Sequence, residues 1–314
     1  MTRPFRFLAE AVEVSDGNTF AEKASRAESL GYSAIVFPDH LLEQLAVVPA
    51  MTAAAAATTT LRVGTFVLNN DLRHPAVLAQ DLATIDVLSG GRLEIGIGAG
   101  WNKPEYDEIG MAFDPVGTRV SRLEEAVKVL KGLFGAEPFS FDGDYYTIRN
   151  RDGQPKPVQK PHPPLMIGGG GRRVLGLAGR EANIVSLAPR IQKDGRGDAT
   201  SITFAATAEK IGWVREAAGD RFGDIELNIY PSMSDVIVTD HVRDEIRTAT
   251  DRIRKRSGQD VSEDDLRDSP HVFIGSIDGL VEKFVALRER LGISSILLGG
   301  IDELAPVVAR LAGT

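Results

Sequence analysis

Apolar positions along this 314-residue chain follow two periods in alternation. Short apolar runs of strand length are separated by stretches where apolar residues recur every three or four positions, as on one face of a helix. Residues 5–12 (FRFLAEAV), 34–37 (AIVF), Leu61 to Leu68 and Leu93 to Ala99 predict the first four strands. The helical stretches between them run from Asn18 to Leu30, over about 44–57, and from His74-Pro75 to just before Ser89-Gly90-Gly91. Gly31 follows the first of these helices as a C-terminal stop, and Pro75 suits the first turn of the third. A further helix is predicted from about Arg119 to Phe134, followed by a hairpin over Phe139 to Ile148 with Asp142-Gly143 at its turn. Leu165 to Ile167, Ala182 to Leu187 and Ser294 to Leu298 read as later strands, and Leu227 to Ile229 or Val236 to Val238 as the seventh. Helices are expected from Arg172 to Gly179 and from Asp302 to Leu311.

About eight strand–helix units without a strong linker predict an α/β protein, a single closed (β/α)8 barrel over residues 1–314. An open doubly wound sheet is the alternative, because periodicity does not report closure. The stretch from Pro189 to Thr207 breaks the rhythm and follows a strand end, where insertion loops of such barrels lie. An ordered lid and a disordered surface insertion are both open for it.

Composition narrows the function. Hydrophobic residues make up 43%, enough for a large core. The formal net charge of -8 disfavours non-specific nucleic-acid binding. The absence of cysteine excludes disulfides, thiolate metal sites and a Cys nucleophile. The five histidines show no metal-ligand spacing, so no metal is expected. The amino terminus lacks the apolar core of a signal peptide, and no apolar run approaches the roughly 20 residues that span a bilayer. A soluble cytoplasmic protein acting on a small molecule is the expectation.

Three segments carry candidate chemistry. In SGGRLEIGIGAGW (89–101), Gly96 and Gly98 lie inside a strand and Gly100 just past it. Glycine weakens a strand, so either a ligand or a neighbouring strand must approach this backbone closely. Asp39-His40 end the second strand, and an imidazole there can give or take one proton near neutrality. GGGGRRVLGLAG (168–179) places glycines before a helix, where backbone N–H groups and the helix dipole favour an anion, and Arg172 and Arg173 add cations suited to phosphate. Neither glycine segment is a Rossmann fingerprint. Trp101, Arg173 or Val174 stands wherever G-x-G-x-x-G would need its third glycine.

Together with VGTFVLNNDLRHP (63–75), these segments resemble the luciferase-like flavin and deazaflavin oxidoreductases, and within them the branch that uses coenzyme F420. The resemblance runs from about Phe5 to Leu311 and is strongest through Arg180. It implies a TIM barrel, a hydride transfer between F420 and a small organic substrate, a homodimer, and a catalytic role for His40. It also implies that Asp39, Thr65, Phe66, Leu68, Ala99 and Gly100 contact the coenzyme, with its phosphate at Gly170, Gly171, Arg173 and Val174. Counting back from Pro75 places the family's bulge and non-prolyl cis peptide at Thr65-Phe66, with the Thr65 hydroxyl toward the ring edge.

The chain departs from the family's sugar-phosphate dehydrogenases at two positions. Trp101 stands where they carry a glutamate, with Glu105 the nearest acid, and Gln44 stands where they carry a tryptophan. Glucose-6-phosphate oxidation is therefore doubtful, and Trp101, Gln44 and Glu105 become candidate substrate-pocket residues. Two other functions stay open: a two-component monooxygenase using reduced FMN, and a non-catalytic barrel that binds a phosphorylated ligand.

Overall fold

The computed structural model describes residues 3–192 and 195–314. Thirteen strands are described: β1 (Arg6–Glu10), β2 (Ala34–Phe37), β3 (Arg62–Thr65), β4 (Leu68–Asn69), β5 (Leu93–Gly98), β6 (Phe139–Asp142), β7 (Thr147–Arg151), β8 (Leu165–Gly169), β9 (Ile184–Leu187), β10 (Glu226–Ile229), β11 (Ile237–Val238), β12 (Ile274–Gly275) and β13 (Ile293–Gly299). The α-helices are α1 (Gly17–Ser29), α2 (Val47–Ala57), α3 (Pro75–Leu88), α4 (Lys103–Glu108), α5 (Val116–Phe134), α6 (Arg172–Glu181), α7 (Phe204–Ala218), α8 (Val242–Ser257), α9 (Glu263–Asp268), α10 (Ile277–Leu291) and α11 (Ala305–Leu311).

The main sheet runs β3-β2-β1-β13-β10-β9-β8-β5-β4, and β3 also pairs with β5. The ladder therefore returns to its start. β3 and β4 are two parts of one barrel strand, which makes eight positions and a closed parallel (β/α)8 barrel, as the alternation of elements predicts. The seventh strand is the first of the two candidates, at Glu226–Ile229. The second candidate, Ile237–Val238, pairs with Ile274–Gly275 in a small parallel sheet of its own. Its shortness and half-buried pattern explain the ambiguity.

The chain divides into two compact units. One comprises Met1–Ala11, Arg26–Ala34 and Gly168–Thr314. Its strands bury Phe7 between neighbouring rings, with Phe284 at 6.2 Å and Phe5 at 5.9 Å, each aromatic pair adding about 0.5–1.5 kcal/mol beyond area burial. A satellite core gathers Ala199, Ile202, Ile246, Ile253, Val261, Leu266 and Val272 under β11, α8, α9 and β12. The segment after β9 belongs to this unit. Among its described residues, Ile191 forms an antiparallel bridge with Gly197. Asp198 bonds Arg190 at 3.1 Å, and Gln259 holds both Asp198 and the Ala199 amide. Lys193 and Asp194, within the stretch expected to be a lid or an insertion, lie outside the described residues.

The other unit comprises Val12–Ser25 and Ile35–Ile167. Leu82, Leu93, Ile97, Leu123, Val127 and Leu130 are among its fully buried apolar side chains. His74 caps α3 through its ring, with Pro75 in the first turn, as the sequence pattern predicts. The hairpin β6–β7 packs on α5, whose Glu125 accepts from the turn amides of Asp144, Tyr145 and Tyr146.

The break between β3 and β4 shapes the candidate site. Gly64 pairs with Glu94 and Leu68 with Ile97, so three residues, Thr65, Phe66 and Val67, face two, Ile95 and Gly96. This is a bulge, and its cis peptide is Phe66-Val67. The bond lies one residue later than the Thr65-Phe66 expected from the resemblance, because counting back from Pro75 does not see the extra residue of the bulge. The glycine pattern of β5 is explained here as well. A Cβ on Gly96 would lie 2.0 Å from the Thr65 carbonyl oxygen, and one on Gly98 would lie 2.9 Å from Val67 Cγ2. What approaches the β5 backbone is therefore the neighbouring bulged strand.

Candidate active site

In the unit carrying β2 to β5, the strand ends gather the candidate chemistry. His40 follows β2. Its Nδ1 lies 2.8 Å from Oε1 of Glu105, which is 2% exposed and projects from α4. An ionised carboxylate only accepts, so this contact places the proton of a neutral imidazole on Nδ1 and leaves Nε2 as a bare lone pair. Among the described residues Nε2 has no hydrogen-bond partner. The Asn102 amide donates closely to the same Oε1 and helps to fix the carboxylate. Trp101, about half exposed, stands edge-on to the imidazole with centroids 5.6 Å apart and planes at 81°. The pair can therefore hold or move one proton at Nε2, beside an indole wall.

Asp39 is buried and fully engaged. Its carboxylate takes both guanidinium nitrogens of Arg73, at 2.5 and 3.1 Å, and the Asn69 amide at 3.0 Å. Such a bidentate pair is directional, and with the Asn69 amide it ties the end of β2 to the end of β4 and the turn that follows. Asn69 Oδ1 in turn accepts from the Tyr106 hydroxyl at 2.9 Å and from the Asp71 amide at 3.1 Å. Tyr106 is completely buried, and burial pushes its phenol up to about 12. Arg119 donates to the carbonyls of Ala99 and Gly100, while its guanidinium lies 3.9 Å over the Phe113 ring.

Several expected coenzyme contacts are occupied by the protein itself. The Thr65 hydroxyl, expected at the ring edge, donates to the Gly96 carbonyl at 2.6 Å and accepts from the Gly96 amide at 2.9 Å. It replaces the ladder bonds that the bulge removes. Leu68 is fully buried, so its side chain faces the core. Gln44 spends its amide on the Pro38 carbonyl at 2.8 Å. Phe66 and Val67 remain half-buried and form the accessible part of the bulge. Ala99 is half-buried at the end of β5, and so is Gly100, whose φ of 75° no β-carbon residue adopts easily.

In the other unit, the glycine run spans the end of β8 and the start of α6. Gly170 is buried, and a Cβ there would lie 2.3 Å from the Pro189 carbonyl oxygen. Gly171 is the N-cap of α6 with no side-chain cap, and nothing lies within 4 Å of where its Cβ would be. The first amides of α6 thus have no side-chain cap from Gly171, and an uncapped helix start suits an anion. Val174 packs against Gly169, and Arg173 is exposed on the first turn. Arg172, expected to add a cation suited to phosphate, pairs with Glu216 at 2.9 Å on the surface.

Sequence reasoning found His40, Glu105 and Trp101 but kept Glu105 apart from His40. Asn102 was expected only at the mouth of the site, and Tyr106, Asn69, Arg73 and Arg119 escaped it, since their partners lie across 19 to 37 residues or on a six-residue helix without a periodic pattern. No described helix is long and apolar enough to cross a membrane, and the described residues hold no cluster of metal-ligating side chains.

The luciferase-like monooxygenase family model matches residues 4–217. The chain is 38% identical over 128 residues to an FMNH(2)-dependent dimethylsulfone monooxygenase of Pseudomonas putida, covering 41% of this chain and 35% of that protein. It is 31% identical over 191 residues to an F420-dependent glucose-6-phosphate dehydrogenase of Microbacterium testaceum, covering 58% and 56%. In both cases the match spans little more than half of the relative's length at most. In structure it resembles the coenzyme F420-dependent tetrahydromethanopterin reductase of Methanopyrus kandleri, with a TM-score of 0.76, 19% identity, and 98% of this chain and 96% of that one covered. Flavin-dependent and deazaflavin-dependent enzymes thus both stand among its relatives. The chain belongs to the luciferase-like monooxygenase family, a family of oxidoreductases and monooxygenases built on this barrel.

Proposed function

We propose that the protein is a coenzyme F420-dependent oxidoreductase that moves a hydride between the deazaflavin and a small organic substrate, with His40 transferring the accompanying proton. The observation that carries this reading is the His40–Glu105 pair, with Nε2 unbonded beside Trp101 at a strand end. The residues fit such a coenzyme at two places, each within its own unit. The open cradle at Gly171 and the uncapped amides of α6 would hold a phosphate, with Gly170, Arg173 and Val174 shaping it. The half-buried Phe66-Val67 step offers a shelf for a flat ring.

When bound, the deazaflavin supplies a two-electron acceptor or donor. The chain's own residues do the rest. In the oxidative direction a substrate C–H bond gives up its hydride, and the O–H proton passes to Nε2 of His40. The imidazolium so formed is stabilised by Glu105 through Nδ1–H. Asp39 and Arg73 keep the strand end in place rather than touching the proton. Anaerobic turnover of F420 against a panel of alcohols and ketones tests the reading, and no turnover across the panel with F420 bound would count against it. We also propose a homodimer acting in the cytoplasm, which equilibrium sedimentation and cell fractionation test.

A second reading is favoured by one observation: 38% identity to an FMNH(2)-dependent monooxygenase. On that reading the same proton would serve oxygen chemistry, and oxygen uptake with reduced FMN would reveal it.

A further inference from the structure

We infer that Tyr106 is a positioning residue that sets the hydrogen bond between His40 and Glu105. Its bearing on turnover rests on the reading of His40 above, but the positioning itself does not. Glu105 and Tyr106 are neighbours on α4, a helix of six residues. A helix that short has no stability of its own and takes its position from tertiary contacts. Tyr106 is its buried anchor. The phenol reaches Asn69 Oδ1 at 2.9 Å and Asp71 Oδ2 at 3.1 Å, and the ring meets Phe113 edge-on with centroids 4.9 Å apart.

The anchor closes a ring of contacts around the site. His40 bonds Glu105, Glu105 adjoins Tyr106, Tyr106 bonds Asn69, the Asn69 amide bonds Asp39, and Asp39 adjoins His40. The imidazole and the carboxylate are thus held from opposite sides by one closed circuit, and the Tyr106 hydroxyl is the link that joins α4 to β4. Gly100 shows that the arrangement is enforced. A Cβ there would lie 2.0 Å from the Tyr106 hydroxyl and 2.6 Å from Asn69 Oδ1. The third glycine of the fourth-strand motif is therefore the opening through which the phenol reaches Asn69. Since the phenol is pushed up to about 12, it stays a donor at any working pH.

The test is the Nδ1–H proton of His40, read by NMR in ring-nitrogen-labelled protein without coenzyme. Glu105→Gln gives the response to loss of the carboxylate. Tyr106→Phe keeps the ring and removes only the hydroxyl. The expected result is a displaced Nδ1–H resonance with exchange to water faster by about two- to tenfold, the scale of one net hydrogen bond. Asn69→Ala removes the acceptor from the other end of the link and should move the same resonance, which keeps the test available if Tyr106→Phe folds poorly. An unchanged His40 resonance in a folded Tyr106→Phe protein with a lower thermal midpoint would show that Tyr106 serves stability alone and overturn the inference. Binding of F420, measured separately, bears only on the proposed function.

Discussion

His40 and the two glycines before α6 show how differently single residues of one motif set can act. His40 holds its partner by one bond and is only half-buried, so its removal should leave the fold intact. His40→Ala is expected to keep F420 affinity within a few fold while turnover falls by roughly 10²–10⁴, the range for a lost general acid or base. Parent-rate turnover on the same substrate would make His40 structural. Gly170 and Gly171 separate stability from binding. A side chain at Gly170 meets the Pro189 and Ala188 carbonyl oxygens, at 2.3 and 2.7 Å, and backbone cannot yield. At Gly171 the space is open and φ is -101°, which any residue tolerates. Gly170→Ala should therefore lower the thermal midpoint, whereas Gly171→Val should keep the midpoint and weaken coenzyme binding by blocking the amides of α6. A Gly171→Val protein that binds F420 like the parent would move the phosphate elsewhere.

At the scale of elements, what the sequence makes legible is what has a period. β2 spans Ala34–Phe37 as expected, α1 ends just before Gly31 at φ 84°, and a hairpin forms where expected, although Asp142 still pairs with Thr147 and the turn runs from Gly143 to Tyr146. The period fails where tertiary contacts decide. The β3–β4 bulge shifts its register by one residue, and only the partner strand reveals it. α4 is too short to show periodicity, and its role depends on Glu105 and Tyr106 finding partners 65 and 37 positions away. The glycines of β5 announced a close approach correctly but not its agent, because a ligand and a neighbouring strand demand the same absent side chain. The Thr65 hydroxyl gives this element its own prediction. Thr65→Val keeps the shape but leaves the Gly96 amide and carbonyl without partners in a buried place. A loss of about 1–3 kcal/mol in urea unfolding is expected, and a loss below a few tenths would mean the bulge is held by packing alone.

At the scale of the whole molecule, the acidic side of the stability profile follows from a fully buried histidine. His271 donates from Nδ1 to the Tyr230 carbonyl at 3.1 Å, and its Nε2 is buried without a partner. Burial first, then the charge of Lys210, pushes it down to about 3 from an ordinary 6.5. The unfolded chain therefore takes up a proton below about 6.5 that the folded one refuses until about 3. The stability that His271 supports is complete above about 6.5 and is lost as the pH falls toward 3. Urea midpoints measured from pH 7 to pH 4 should decline, and His271→Leu should flatten that decline; an unchanged slope would assign it to other groups. The central claim concerns the coenzyme. The surface pair of Arg172 and Glu216 is exposed and weak, so an anionic tail can displace the glutamate, and the net charge of -8 gives F420 no other general attraction. The most direct measurement is titration of the purified protein with F420 and with FMN at matched salt, followed by oxygen uptake with each reduced form. Tighter binding of F420 is expected, with no oxygen uptake beyond the free coenzymes. Equal or tighter binding of FMN, with oxygen uptake coupled to substrate, would contradict it.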